Sequence, residues 1–228
     1  MAVQQMGATR AHLVSRTSSA NIVGSPGGYV VGYGAVLFLA DHQVRSTSGA
    51  LDSQARADLL CIAREAVRAA ARGEQPEQPD LRSPALSENG RAFVTLYTNG
   101  GLRGCIGDLQ GHDPLGVVVQ RMAGAASVRD PRFPPLTPDE LTGLQIEISV
   151  IGPFRTVRGP EDIQVGRDGL WLRLGVHQGV LLPKVAAEYG WTPTEFLDHT
   201  CQKAQLPSDA WQDPDAEIQA FPADVITD

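Results

Sequence analysis

Six consecutive residues, Leu102-Arg103-Gly104-Cys105-Ile106-Gly107, bring a guanidinium, a thiol and two glycines together. In extended backbone, residues two apart share a face. Arg103, Cys105 and Gly107 are therefore expected on one side of a strand, and Leu102, Gly104 and Ile106 on the other. Leu102 and Ile106 would anchor the strand in a core and leave the thiol beside a fixed positive charge, which favours the thiolate. Gly104 and Gly107 remove side chains, so a ligand or another backbone can come close. Cys105 is thus a candidate nucleophile, thiol ligand or modification acceptor. The same residues also suit a structural role, because free cysteine packs as a small hydrophobe and Arg103 can simply pair with a carboxylate. A nucleophile needs a positioned base, and His177 and His112 are the imidazoles considered for it.

Two other places carry chemistry. In Ile146-Glu147-Ile148-Ser149-Val150 the isoleucines and valine alternate toward a core, which turns Glu147 and Ser149 the other way. Glu147 then reads as a solvent-facing or arginine-paired carboxylate, with Arg103 as one partner, or as a catalytic one. Arg129, Asp130 and Arg132 sit in the proline-stiffened Arg-Asp-Pro-Arg-Phe-Pro-Pro loop (residues 129–135). Arginines on a rigid loop suit carboxylate or phosphate recognition, although Asp130 can satisfy one of them locally and Phe133 reads as a loop anchor. The candidate catalytic set is therefore Cys105, Arg103 and Glu147. The candidate ligand cleft adds Gly104, Gly107, Arg129, Arg132 and His177.

The elements that must position these residues follow from periodicity and punctuation. Residues 53–72 have helical spacing, with Leu59, Ile62, Ala63, Ala66, Val67 and Ala70 as the apolar stripe and Gly73 as the stop. Cys61 is read as packing within it, and Arg64, Arg68 and Arg72 as a solvated face. After a Pro- and Glu-bearing loop, residues 92–98 read as a strand, Asn99-Gly100 as a hairpin turn, and Leu102 onward as the return strand. Asp113 is expected to cap a helix running to about Ser127, with Pro114 in its first turn. Thr137 and Glu140 form a capping box before a short helix, and residues 144–151 form a strand. Asp168-Gly169 reads as a turn, residues 170–174 and 179–182 as strands, and Pro183 as the start of a helix that Gly190 ends. Thr192 and Glu195 make a second capping box, heading a helix that carries Cys201 and His199. A last strand lies within residues 216–226.

The order hairpin, helix, capping-box helix, strand occurs twice. This suggests duplication of an α+β unit. Arg103-Gly104-Cys105 would then match Gln178-Gly179-Val180 across a pseudo-twofold seam, a natural place for a cleft. Residues 1–50 are rich in Gly, Ser and Thr and read as an N-terminal extension, with a strand or hairpin at residues 29–40; the clear domain is 51–228.

Composition excludes several classes. A net charge of −7 and a pI near 5.2 argue against nucleic acid as a partner. Three well-separated cysteines and five histidines without ligand-like spacing predict neither a disulfide scaffold nor a metal, and they suit a cytoplasmic protein. No phosphate loop or dinucleotide fingerprint is present, so no cofactor is expected. No apolar run approaches the roughly 20 residues that span a bilayer.

The motifs LRGCIG (102–107), RDPRFPPLT (129–137), EISVIGP (147–153), GVLLPKVAAEYGW (179–191) and FLDHTCQKAQLPSDAW (196–211) occur in that order. Together they resemble the AMMECR family, whose prokaryotic branch is called AmmeMemoRadiSam system protein A. The resemblance covers roughly residues 51–228. It implies an α+β domain of two lobes, with antiparallel or mixed sheets, flanking helices and a cleft near LRGCIG. It also implies an association with a Memo-like protein and a radical SAM protein. Lys184 stands where the family often has glutamine, which bears on ligand preference if that position faces the cleft. Two functions stay open: a component that binds a small molecule, a peptide or those partners, and an enzyme using a Cys105 thiolate with Arg103 and either Glu147 or His177.

Overall fold

The computed structural model describes residues 10–18, 32–39 and 51–228. The first two segments belong to a unit of their own, in which β1 (Arg10–Ser18) pairs antiparallel with β2 (Gly32–Leu39). β2 falls within the strand or hairpin expected at residues 29–40; apart from β1 and β2, residues 1–50 lie outside the described residues.

The larger unit opens with α1 (Ser53–Ala71), whose first turn is capped by the Asp52 carboxylate accepting the Ala55 N–H at 2.7 Å. Leu59, Ile62, Ala63, Ala66 and Val67 are buried, as their spacing predicts. Gly73 ends the helix with φ +71°. Cys61, expected in the packed face, is instead exposed. The arginine face is solvated but not idle: Arg56 pairs with Asp224 and Arg64 with Asp228, tying α1 to the C-terminal strand.

A short helix α2 (Pro84–Ser87) leads to β3 (Ala92–Thr98) and β4 (Gly101–Asp108), then α3 (Leu115–Val128), β5 (Leu144–Ile151) and β6 (Arg155–Thr156). β7 (Asp168–Leu174), β8 (His177–Leu181), α4 (Pro183–Tyr189), α5 (Pro193–Lys203) and β9 (Glu217–Thr227) complete the chain. The fold is α+β: one seven-stranded antiparallel sheet, in the order β4-β3-β5-β9-β7-β8 with β6 beside β9, curls into a half-barrel flanked by helices. The two lobes are two cores under this one sheet. The first sets α1 and α3 against β3 and β5, and the second sets α5 against β7 and β9.

Two local expectations change. Asp113 does not cap α3; the helix begins after Pro114 without a side-chain cap, and Asp113 pairs with Arg121 at 2.6 Å. Asp168-Gly169 is not a turn. Gly166 (φ +87°) makes the bend, and Asp168 starts β7 almost fully buried, bonded by Arg155, Arg167 and the Gln164 N–H. A buried carboxylate with that many donors is structural, and single-residue turn signals cannot reveal it.

The repeat in element order has a partial packing counterpart, in which the helix directly after the first hairpin corresponds to the capping-box helix after the second. Gly104 on β4 lies opposite Leu96, and a Cβ there would come within 2.1 Å of the Ala126 carbonyl oxygen of α3. Gly179 on β8 lies opposite Leu172, and its Cβ would come within 2.7 Å of the Thr200 carbonyl oxygen and the Ala204 nitrogen at the end of α5. In each half, the second hairpin strand carries a glycine so that the last turn of a helix can rest on the sheet backbone. Backbone cannot yield as a flexible side chain does. Gly104→Ala and Gly179→Ala should therefore each cost about 3 kcal/mol or more in urea unfolding. Gly100→Ala, at φ +76° with nothing within 4 Å, should cost only about 1–2 kcal/mol.

Candidate functional site

The β3–β4 hairpin turns through Asn99 (φ +51°) and Gly100 (φ +76°), the paired positive φ values of a type I′ turn. Its register is not simple alternation. Tyr97 faces Leu102 but Leu96 faces Gly104, so Arg103 is an extra, bulged residue. The bulge changes the parity of the strand. Leu102 moves to the Tyr97 face and is 42% exposed, rather than anchoring the core with Ile106. Arg103 leaves the alternation altogether. Its guanidinium grips Glu140 through two bonds, of 2.7 and 3.1 Å, and lies over the Phe133 ring at 6.0 Å. Arg103 and Cys105 therefore do not form the same-face pair that plain alternation predicts.

Cys105 sits in a row of side chains across three strands, since Thr95 is opposite Cys105 on one side and Glu147 on the other. The Thr95 hydroxyl, itself buried, donates to the Cys105 sulfur at 3.3 Å. Glu147 is two strands from the thiol, about 10 Å at the usual strand spacing, beyond reach of a direct proton transfer. It does not pair with Arg103; it pairs with Lys184 of α4, whose ammonium also donates to the Tyr97 hydroxyl at 2.8 Å. Burial alone would lower the Lys184 pKa, but the bonds to Glu147 and Tyr97 outweigh it and raise it. Lys184 thus faces the polar side of this sheet as the cation of a half-buried pair.

The Arg-Asp-Pro-Arg loop has a definite task. β4 is an edge strand, and its Cys105 N–H points out of the sheet to the Asp130 carboxylate at 2.8 Å. Arg132 bonds the same carboxylate at 2.6 and 2.9 Å and reaches the Cys105 carbonyl at 3.4 Å. Carboxylate and guanidinium together stand in for the backbone of a missing neighbouring strand. The Arg132 guanidinium, followed by the backbone N–H groups, holds the Asp130 carboxyl far below the usual carboxylate range. Arg103 and the Thr137 N–H likewise hold Glu140 at about 2. Arg129 is not part of this arrangement; it ends α3 with its side chain exposed.

Beyond Cys105 the edge opens onto a groove of about 560 Å³. One wall is Ile106–Gln110 of β4 and its continuation; the other is Gln178, Gly179 and Val180 of β8, with Lys203 at the end of α5. The seam expected between the two halves is therefore real, but it is displaced from Arg103–Cys105 to the residues that follow. Gly107 lines the groove, although its missing side chain serves the Phe93 ring, which a Cβ would meet at 2.2 Å. Gly104 is buried against α3 and opens nothing to a ligand. Trp171, read as packing, lines the groove instead. His177 is exposed at the tip of the β7–β8 hairpin and His112 is exposed after β4; among the described residues no imidazole bonds to Cys105. His199 stacks on Trp191 at 3.9 Å, and Cys201 is core, its thiol pushed up by burial. Thr95, Tyr97 and the pairing of the capping-box residue Glu140 with Arg103 are not legible in the sequence, because only strand register and the bulge bring them to the site. Among the described residues no cluster of His, Cys, Asp and Glu could hold a metal ion, and no helix is long and apolar enough to cross a membrane.

An α+β half-barrel with a thiol-bearing, side-chain-capped edge strand and a groove at its seam is the class these features define. The AMMECR1 family model matches residues 60–226, and the chain belongs to that family. It is 41% identical over 179 residues to Protein TK0174 of Thermococcus kodakarensis, covering 74% of this chain and 87% of that one. It is 40% identical over 179 residues to Protein PF1979 of Pyrococcus furiosus, covering 74% and 85%. The crystal structure of Uncharacterized Protein PH0010 from Pyrococcus horikoshii is similar, with a TM-score of 0.70 at 39% identity over 73% of this chain and 88% of that chain.

The Arg103–Glu140 pair has an acid signature. Glu140 ordinarily titrates at 4.5 and is held at about 2 in the fold. Its depressed pKa contributes stability that is fully present above 4.5 and lost as pH falls toward 2. In thermal unfolding, the advantage of the native protein over Glu140→Gln should therefore shrink steadily across that window. An advantage independent of pH there would exclude this role for the pair.

Proposed function

We propose that the chain is a binding component, which captures a small molecule or a peptide of a partner protein in the groove between β4 and β8. The observation that carries this reading is the groove itself: two sheet edges line it, and among the described residues no imidazole bonds to the nearby thiol. The partners proposed are those the family resemblance implies, a Memo-like protein and a radical SAM protein, with the cytoplasm as the compartment. Lys184, Glu147 and Tyr97 support the strand behind the thiol, and Asp130 and Arg132 hold its edge.

One observation favours a second reading, an enzyme using Cys105: the Thr95 hydroxyl donates to the sulfur and fixes its position beside the groove. The two readings separate in one pair of measurements. The tagged protein should co-purify with one or both proposed partners, and Cys105→Ser should capture them equally well. Failure to bind either partner at high protein concentration would sink the binding reading with those partners. In alkylation followed by mass spectrometry, exposed Cys61 should react faster than half-buried Cys105, and buried Cys201 only on unfolding. Arg103→Ala should leave the Cys105 rate unchanged, because that guanidinium is tied to Glu140. Rapid Cys105 alkylation well below the ordinary thiol pKa of about 8.5 would move the assignment to the enzyme.

A further inference from the structure

We infer that the occupant of the groove is an extended peptide segment of a partner protein, which adds to the sheet as a strand through its backbone. This deepens the binding reading and rests on it. In an antiparallel ladder, residues alternately turn their N–H and C=O toward the neighbouring strand and away from it. Leu174 and His177 face each other across the two-residue turn Gly175-Val176. The ladder bonds to β7 therefore fall on His177, Gly179 and Leu181, and Gln178 and Val180 direct their backbone groups outward. On β4, the Cys105 N–H leaves the sheet for Asp130, so Gly107, two residues on, also points outward.

Gly107, Gln178 and Val180 all line the groove. Among the described residues, their outward backbone groups have no hydrogen-bond partner. The contrast with Cys105 is informative. The edge is closed by Asp130 and Arg132 just before the groove and left open inside it. Uncovered edge backbone is a template for strand pairing, and adding a strand is an established mode of peptide recognition. A peptide backbone supplies donors and acceptors at the repeat that these edges present; a compact small molecule does not.

The side chains narrow the peptide. Phe93, Ile106, Leu109, Met122 and Trp171 offer an apolar surface. Asp108 at the rim is neutralised by Arg121, and its other oxygen takes the Gln110 N–H at 2.7 Å. Lys203 has no ion-pair partner among the described residues. The groove thus suits an apolar residue together with an acidic residue or a C-terminal carboxylate.

The test selects binders from a phage-displayed library of short linear peptides, then resynthesises the tightest one with each backbone amide N-methylated in turn. Methylation at alternate residues should weaken binding about tenfold or more, and methylation at the residues between them should do little. The selected peptide should carry an acidic group, and Lys203→Glu should weaken its binding severalfold. Peptide should slow amide hydrogen exchange at Gly107, Gln178 and Val180. On the protein side, Val180→Pro removes an outward N–H while leaving the β7 ladder intact, and should also cost about tenfold. If that variant does not fold, the N-methyl series on the native protein decides alone. Failure to select any peptide, insensitivity to N-methylation, or amides already protected without peptide would each overturn the proposal; the last would mean that the chain or a second copy fills the groove. Partner capture that persists while the peptide experiments fail would keep the binding reading on another surface. Peptide binding without partner capture would keep the groove and discard the partners.

Discussion

The structure hangs on β9. Its first six residues pair with β7 and its last five with β5, so one strand of eleven residues joins the sheets of both halves into a single curled surface. Pro222 stands at the changeover, where a missing N–H costs least, and its carbonyl accepts the Gly152 N–H at 2.8 Å. Phe221 beside it is fully buried and packs against Phe154, and Gly169 leaves room for its ring. The Arg56 and Arg64 pairs clamp α1 to the end of the same strand. Because β9 occupies the middle, β4 and β8 are left as the two outer edges. The curl then brings both to one groove.

The LRGCIG segment is best understood as a managed edge. Its bulge removes Arg103 from the strand and sends it to Glu140; its glycines let α3 and the Phe93 ring approach; its cysteine backbone is covered by Asp130 and Arg132. The loop from Arg129 to Pro135 and the LRGCIG strand are one unit, joined by charge-assisted bonds of the stronger kind. The sulfur itself takes a hydrogen bond from the buried Thr95 hydroxyl.

Much of this was legible in the residues. The Asn-Gly turn, both Thr-Pro-x-Glu boxes, the helix stop at Gly73 and the glycine end of α4 all follow from local backbone chemistry, which tertiary context did not override. The family motifs carried the α+β class. The departures have separate causes. Strict alternation fails for Leu102 and Arg103, because a single bulged residue breaks it; Gly104 keeps the Ile106 face, and a helix backbone rather than a ligand fills the space beside it. Glu147 meets Lys184, from a helix far along the chain, rather than Arg103, which Glu140 takes. Cys61 was assigned to the core on residue type, while its position on α1 faces outward.

What the sequence by itself determined is most of the elements, their order and the charge balance, because turn, cap and periodicity signals act within a few residues. Only the tertiary structure decided which carboxylate meets which cation, and that the thiol's neighbours are a threonine and a capping loop. It alone opened the groove past the cysteine rather than at it. Those outcomes depend on strand register, on one bulge and on the curl imposed by a shared strand. Each is a relation between residues distant in the chain, and none leaves a mark on any single stretch of it.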